Sequence, residues 1–337
     1  MFNTKQIINL TKLRKFQFVL VAIIVSCLLP LILSNQFMIY VLTLMVVFAI
    51  YASSWNLLSN SGQGSLGHAA FLGLGGFTYS LLVINLGIPA ILAMLIGAIF
   101  SAGIGFLIGL TCVRLEAWFL AMVTFGFSVI IVAFVNHFKD ITMGVLGFRT
   151  PLIVQVGLPL YYFSLLVAIF SILSMYFLMK SKIGLAFRAI KENSSEARMI
   201  GINTAKYKLY AFVISTFFAG LAGSLYAQVI RHLDFRIFDA SNSFEPLMMS
   251  VIGGLGTIEG PVIGSILLVS LDSFLPNIDS YLQPLMSPLF PAVSFVGPPI
   301  RLIFLGLFLL IVVIFFPNGV TSMIRKFYNY LIKQFRE

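Results

Sequence analysis

Long apolar runs, separated by short polar or glycine-rich stretches, dominate the chain. They cover Phe16–Leu33, Phe37–Leu58, His68–Ile84, Ile88–Cys112, Trp118–Val135, Leu158–Met179 and Tyr207–Val229. Two shorter pieces follow, Phe244–Ile252 and Val262–Phe274, and then a last run, Leu302–Phe316. A bilayer core about 30 Å thick needs about 20 apolar residues of helix to cross it. The runs are continuously apolar and lack the alternation over about ten residues that marks a membrane barrel strand. In lipid, backbone polar groups must be satisfied within the segment, which a helix does. The pattern therefore predicts an all-α polytopic membrane protein with about 8–10 transmembrane helices.

Composition agrees. The chain is 60% hydrophobic and 9% charged, whereas a soluble domain is about half apolar and about a quarter charged. A soluble protein and a disordered chain are both excluded. Two cysteines, Cys27 and Cys112, cannot make a disulfide scaffold or a cysteine-rich metal site.

The charge is +10, and 15 of the 21 Lys and Arg fall in three clusters. These are Lys5, Lys12, Arg14 and Lys15; then Lys180, Lys182, Arg188, Lys191, Arg198, Lys206 and Lys208; then Arg325, Lys326, Lys333 and Arg336. The positive-inside rule places all three, and so both termini, in the cytoplasm. Pro276–Pro299 has no Lys or Arg and is expected to face outward. No basic and aromatic platform accompanies the charge, so nucleic acid is not an expected partner. The first run ends in Ser34-Asn35-Gln36 without a small-residue cleavage site, and reads as an uncleaved span.

Parity constrains the path. The amino terminus and the Lys180–Lys208 loop share a side, so the six runs between them suffice only when His68–Ile84 crosses fully. After the loop Tyr207–Val229 exits and Leu302–Phe316 returns. The two shorter pieces must then enter and leave on one face, as a shallow hairpin or two tilted helices.

Two breaks interrupt the runs. SNSGQGSLGH occupies Ser59–His68 and GGLGTIEGP occupies Gly253–Pro261. Superposing Gly62 on Gly254 also matches Gly64 with Gly256, Ser65 with Thr257 and Leu66 with Ile258, a weak internal repeat. An interrupted helix frees backbone groups, which lipid tolerates only where they line a cavity or meet a ligand. Paired glycine-interrupted segments are a pointer to a transport path; close helix packing is the plainer use of such glycines. By this reasoning Gln63, Gly64, Ser65, Thr124, Gly256, Thr257 and Glu259 are the candidate path residues. Gly105 and Gly109, inside a continuous run, are assigned to packing. Gly62–Gly67 also fits G-x-G-x-x-G, but the next acid is Glu116 and the flanks are membrane helices, so a dinucleotide site is rejected.

Ionisable groups at membrane depth are few: Glu259, His68, Asp272 and Glu116 beside Arg114. His137 and His232 fall in predicted outer loops, and no histidine pair has metal spacing. Neither a catalytic triad nor HExxH is present, so an enzyme is not expected. Without a Walker A string or a carboxylate relay, a transporter of this kind needs a partner for energy.

The Lys180–Lys208 loop alternates apolar and charged residues at helical spacing. Asn193-Ser194-Ser195 reads as a break and new helix start with Glu196 in its first turn, and Gly201 as a stop. Such a helix suits a partner's groove or a bed of lipid headgroups.

Four stretches carry a family resemblance: GHAAFLGLGGFTYS (Gly67–Ser80); RLEAWFLAMVTFGF (Arg114–Phe127) with TMGVLG (Thr142–Gly147); Gly184–Ala227 around FRAIKENSSEARMIG; and SVIGGLGTIEGPVIGS (Ser250–Ser265). With the ending FFPNGV, Phe315–Val320, the chain resembles the LivM-like permeases of branched-chain amino acid ABC importers. The resemblance implies one permease domain over residues 1–337 with a coupling loop at 180–206. It implies alternating access in a bacterial or archaeal plasma membrane, beside a second permease, two cytoplasmic ATP-binding subunits and an external solute-binding protein. ATP and Mg²⁺ belong to those partners, and this chain binds no cofactor. Matching the loop motif assigns coupling to Gly184, Arg188, Ala189, Lys191, Glu192, Asn193, Glu196, Ala197 and Gly201. The cargo implied is a branched-chain amino acid or a similar small zwitterionic or neutral solute. Thr142–Gly147 departs from the family's T-G-G with a polar pair, which leaves urea or a short amide as the alternative cargo. An ion-coupled secondary transporter is the rival class.

Overall fold

A computed structural model of the chain describes residues 21, 23–33, 35–112, 115, 117–286, 298–316 and 319–323. The basic clusters at both ends, Arg114, Glu116 and residues 287–297 of the stretch without Lys or Arg lie outside the described residues.

The helices are α1 (Ile23–Ile32), α2 (Gln36–Ser59), α3 (His68–Leu86), α4 (Ala90–Cys112), α5 (Ala117–His137), α6 (Lys139–Thr142), α7 (Leu158–Lys180), α8 (Lys182–Glu192), α9 (Ser194–Met199), α10 (Thr204–Ile230), α11 (Ala240–Gly253), α12 (Glu259–Met286) and α13 (Pro298–Phe315). Six of them, α2, α3, α4, α5, α7 and α10, are long and apolar enough to cross a membrane. A two-residue pair, β1 (Phe148–Arg149) with β2 (His232–Leu233), antiparallel with Phe148 opposite Leu233, is the sheet among the described residues. The chain is an all-α polytopic membrane protein. The end carrying α8 and α9 is called the loop end, and the end carrying β1 and β2 the hairpin end.

Local signals set the helix ends. Asn35 caps α2 by accepting from the Phe37 N–H, and Gly87 closes α3 in the left-handed region at φ 61°. Pro159 stands in the first turn of α7, where its missing N–H costs nothing. α2 and α10 form the centre and are buried over most of their length, while α4, α5 and α7 present more of their surface outward. Small residues bring backbones together there: a Cβ on Gly75 would stand 2.1 Å from the Gly220 oxygen, and one on Gly105 2.2 Å from the Thr216 hydroxyl. Hydroxyls cross-link the same helices, with Ser215 donating to the Ser54 carbonyl at 2.7 Å and Ser224 to that of Gly75 at 3.2 Å. Lipid offers no hydrophobic drive between helices, so packing and hydrogen bonds must hold them.

Two prolines inside helices each find a tyrosine. A helical proline leaves the carbonyl four residues earlier without its N–H. Pro30 frees Ser26, whose carbonyl accepts from the Tyr161 hydroxyl at 2.7 Å. Pro246 frees Asn242, whose carbonyl accepts from the Tyr51 hydroxyl at 3.1 Å.

The region after α10 corrects the expectation of two short pieces. α11 spans 14 residues, but α12 runs for 28, well beyond the expected Val262–Phe274. Asp272 and Pro276 end the apolar run without ending the helix. At 1.5 Å per residue α12 measures about 42 Å, enough to cross. The pair is not a shallow hairpin either, because its turn reaches α8 at the loop end: a Cβ on Gly256 would lie 3.4 Å from Lys191 Nζ.

Candidate functional site at two helix breaks

The first break turns back into the protein. After α2 ends, Asn60 and Ser61 fold over its last turn, Ser61 donating to the Leu58 carbonyl at 2.7 Å and to Gln63 Oε1 at 3.0 Å. Gly62 makes the turn at φ 74°. The chain then climbs beside α2, where Trp55 Nε1 donates to the Ser65 carbonyl at 2.8 Å. α3 consequently starts alongside Tyr51 and Ser54 instead of level with Ser59. His68 Nε2 shares a hydrogen bond with Ser54 Oγ at 2.9 Å, and its ring stacks on Tyr51 at 5.3 Å between centroids. Its Nδ1 and the Ser65 hydroxyl are buried without a hydrogen-bond partner among the described residues.

Two more elements complete this break. The Leu66 N–H donates to Thr124 Oγ1 of α5 at 3.2 Å. Gly67 lies directly on that helix, and a Cβ there would stand 1.7 Å from the Thr124 oxygen. The Ala69 N–H, an orphan donor of the first turn of α3, meets Ser243 Oγ of α11 at 3.1 Å.

The second break is a tight joint. Gly254 and Gly256 adopt φ 124° and 78°, which a residue with a Cβ tolerates poorly. Thr257 Oγ1 donates to the Gly254 carbonyl at 2.8 Å and accepts from the Gly260 N–H at 3.0 Å. It thus caps the start of α12 in the manner of an N-cap hydroxyl. Gly319 packs against Gly254, and Thr321 donates to the Gly253 carbonyl, so the segment after α13 closes the joint from behind.

Asn56 joins the breaks. Its Oδ1 accepts from the Gly256 N–H at 2.9 Å, and its Nδ2 donates to the Thr257 carbonyl at 2.7 Å. Asn60 Nδ2 in turn donates to the Asn56 carbonyl at 2.9 Å. Both breaks then meet α8: a Cβ on Gly62 would lie 3.3 Å from Lys191 Cα. In shape and position Gly62 therefore corresponds to Gly256, two residues on from the Gly254 that the sequence match suggests.

α8 is amphipathic. Ser181 caps it by accepting from the Ile183 N–H at 3.2 Å. Gly184, Ala186, Phe187 and Ile190 face inward, while Arg188, Lys191 and Glu192 face out and Ala189 lies between. Asn193 caps α9, accepting from the Ser195 and Glu196 N–H groups and donating to Glu196 Oε1 at 2.6 Å. Ala197 is buried, and Gly201 ends the pair at φ 86°. Beside them Leu185, Met199 and Ile200 are 60%, 79% and 75% exposed.

The candidate path residues thus fall into two groups. Gln63, Gly64, Ser65 and Thr124 gather at the first break, and Gly64 alone of these glycine-loop positions has open space around a built Cβ. Gly256, Thr257 and Glu259 form the second, where the Thr257 hydroxyl is already engaged in capping and Glu259 opens α12. His137 and β2, which contains His232, lie at the hairpin end, away from both. Sequence reasoning missed Asn56, Tyr51, Ser54 and Ser243. For Asn56 a signal existed, an amide near the end of an apolar run.

Interrupted membrane helices meeting beneath an amphipathic loop define a multi-pass membrane protein of the transport class. The chain belongs to the family described as the permease component of the branched-chain amino acid transport system, which matches residues 37–313. It is 28% identical over 258 residues to the high-affinity branched-chain amino acid transport system permease protein LivM of Escherichia coli K12, covering 67% of this chain and 61% of that protein. LivM of Salmonella typhimurium LT2 is 27% identical over the same length. The autoinducer 2 import system permease protein LsrC of Yersinia pestis Pestoides F is 32% identical over 113 residues, 31% of each chain. The chain spans about three fifths of the length of the LivM relatives it matches. No solved structure matches.

Proposed function

We propose that the chain is a permease subunit of an ABC importer that forms part of the path for a branched-chain amino acid or a similar small zwitterionic solute. One observation carries the reading: the first break packs on the backbone of the amphipathic helix α8 at Lys191, and the second, tied to the first through Asn56, lies at the end of the same lysine. Movement of that helix is therefore transmitted to two interrupted helix pairs at once, which is what alternating access requires. The exposed Leu185, Met199 and Ile200 beside Arg188, Glu192, Glu196 and Arg198 give α8 and α9 a surface for ATP-binding subunits. These subunits supply nucleotide and Mg²⁺, and a second permease and an external solute-binding protein complete the assembly. α8, α9 and both termini face the cytoplasm of a bacterial or archaeal cell.

The test is ATP-driven uptake by the assembly purified through this chain and placed in liposomes. Leucine accumulation that needs ATP and the co-purified ATPase is expected. Accumulation by the isolated chain under an ion gradient would move it to the secondary transporters. Urea and a short amide belong in the same assay, because Met143, Val145 and Leu146 are exposed and apolar at the hairpin end, where the family carries a glycine and a polar pair. That turn stands 13 or more residues along α5 from Thr124, about 20 Å, and bears on the external partner more than on the first break. An impermeant thiol reagent fixes the orientation: Met199→Cys is expected to react in inverted vesicles and not in intact cells.

A further inference from the structure

We infer that Asn56 is a positioning residue that makes the two breaks move as one when α8 moves. The inference rests on the reading of the chain as a permease driven through α8, and deepens it. Asn56 is 4% exposed, and its side-chain amide is spent on two consecutive residues of the second break, the Gly256 N–H at 2.9 Å and the Thr257 carbonyl at 2.7 Å. An amide carries an acceptor and a donor on one planar group, so it grips the break as a neighbouring strand would. The gripped segment has no regular structure of its own and contains two left-handed glycines. The first break presses on the backbone of α8 at Lys191. The second meets only the far end of that lysine, through Gly256. The side chain of Lys191 is a flexible rod and transmits little force. The stiff connection from α8 to the second break therefore runs through Gly62, the last turn of α2 and the Asn56 amide. Asn60 stiffens this turn by bonding back to the Asn56 carbonyl.

Three variants separate the parts of the amide. Asn56→Leu removes both hydrogen bonds. Asn56→Asp keeps the acceptor for Gly256 but sets a charged oxygen against the Thr257 carbonyl. Asn56→Gln keeps both groups on a longer arm. Each is made in the full chain, purified with its partner subunits and compared per assembled complex, so loss of folded protein is not read as loss of coupling.

The first readout is leucine carried per ATP hydrolysed, a ratio that a merely structural role leaves in place. A fall of about tenfold is expected for Asn56→Leu and Asn56→Asp, the size set by two lost buried hydrogen bonds, with partial rescue by Asn56→Gln. The second readout needs no cargo. Spin labels at Leu255→Cys and Leu146→Cys, both exposed in the native chain and placed in a background free of Cys27 and Cys112, report the distance from the second break to the hairpin end with and without ATP. A distance that changes in the wild-type background and no longer follows nucleotide in Asn56→Leu supports the assignment. An unchanged nucleotide response in Asn56→Leu overturns it. A wild-type distance that ignores nucleotide overturns instead the reading of α8 as the driving element, and the assignment with it.

Discussion

The first break is eight residues long and deeply buried, and it leaves polar atoms unspent; the second is five residues long, half exposed, and turns its polar atoms on itself. In the first, the Ser65 hydroxyl and His68 Nδ1 are enclosed by protein without a hydrogen-bond partner among the described residues, and Gly64 has room beside it. In the second, the Thr257 hydroxyl holds Gly254 and Gly260 together, and Asn56 takes up the Gly256 N–H and the Thr257 carbonyl. Buried polar groups that stay unpaired each cost about 1–3 kcal/mol. The two breaks therefore differ in hydrogen bonding: the first keeps buried polar atoms without a partner among the described residues, and the second is closed as a joint.

Substitutions that crowd backbone against backbone test the frame common to both. Gly67→Ala places a Cβ 1.7 Å from the Thr124 oxygen, and Gly253→Ala places one 1.7 Å from the Gly260 oxygen. Neither neighbour is a flexible side-chain tip, so each variant is expected to lose more than about 3 kcal/mol. The measurement is folded protein recovered from membranes together with its apparent melting temperature. Near-normal recovery of either would mean that the helices approach less closely than described.

A smaller effect separates the proline repairs from the rest of the tyrosine contacts. Tyr51→Phe is expected to cost about 1–3 kcal/mol, because the Asn242 carbonyl freed by Pro246 is left orphaned. The same change in a Pro246→Ala background, where the helix regains its own N–H, is expected to cost markedly less. Equal losses in both backgrounds would show that the hydroxyl does not serve the proline.

The sharpest contrast between the breaks pairs Thr257→Ala with Ser65→Ala. Removing the Thr257 hydroxyl deletes two hydrogen bonds and a helix cap and is expected to cost about 1–2 kcal/mol. Deleting the Ser65 hydroxyl removes an atom with no partner and is expected to leave stability within about 0.5 kcal/mol while lowering uptake. If Ser65→Ala melts early, or transports normally, the hydroxyl is not held in reserve for a solute.

Gly64→Ala is expected to have the smallest effect on stability, since its backbone is not left-handed and nothing crowds its Cβ. Larger side chains there should reduce uptake progressively at constant melting temperature. Uptake indifferent to Gly64→Leu would remove that space from the path.

Legibility in the sequence varied with the range of the interaction. The membrane spans could be read because burial in lipid depends on local composition, and α2, α4, α5, α7 and α10 begin and end within a few residues of their apolar runs. The cap at Asn193 and the stop at Gly201 were legible for the same reason, since a cap satisfies groups within its own turn. α12 was misjudged because Asp272 and Pro276 end an apolar run, yet a helix carries a polar face without stopping. The pairing of the breaks was visible as similar strings, but its register was not: Gly62 and Gly256 share a left-handed turn and a neighbour in Lys191, which string matching cannot detect.

By itself, the sequence determined that this chain lives in lipid as helices, that two glycine-rich strings interrupt them, and that a basic amphipathic segment joins two of the apolar runs. Hydropathy, propensity and charge act residue by residue, so these features need no knowledge of neighbours. Which atoms close the interruptions was decided by tertiary structure alone. The Asn56 amide meets Gly256 across 200 positions of chain, and the Tyr51 hydroxyl meets the carbonyl freed by Pro246 across 191. A hydrogen bond needs its two atoms within about 3 Å, and the packing of α2 against α11 and α12 brings them there.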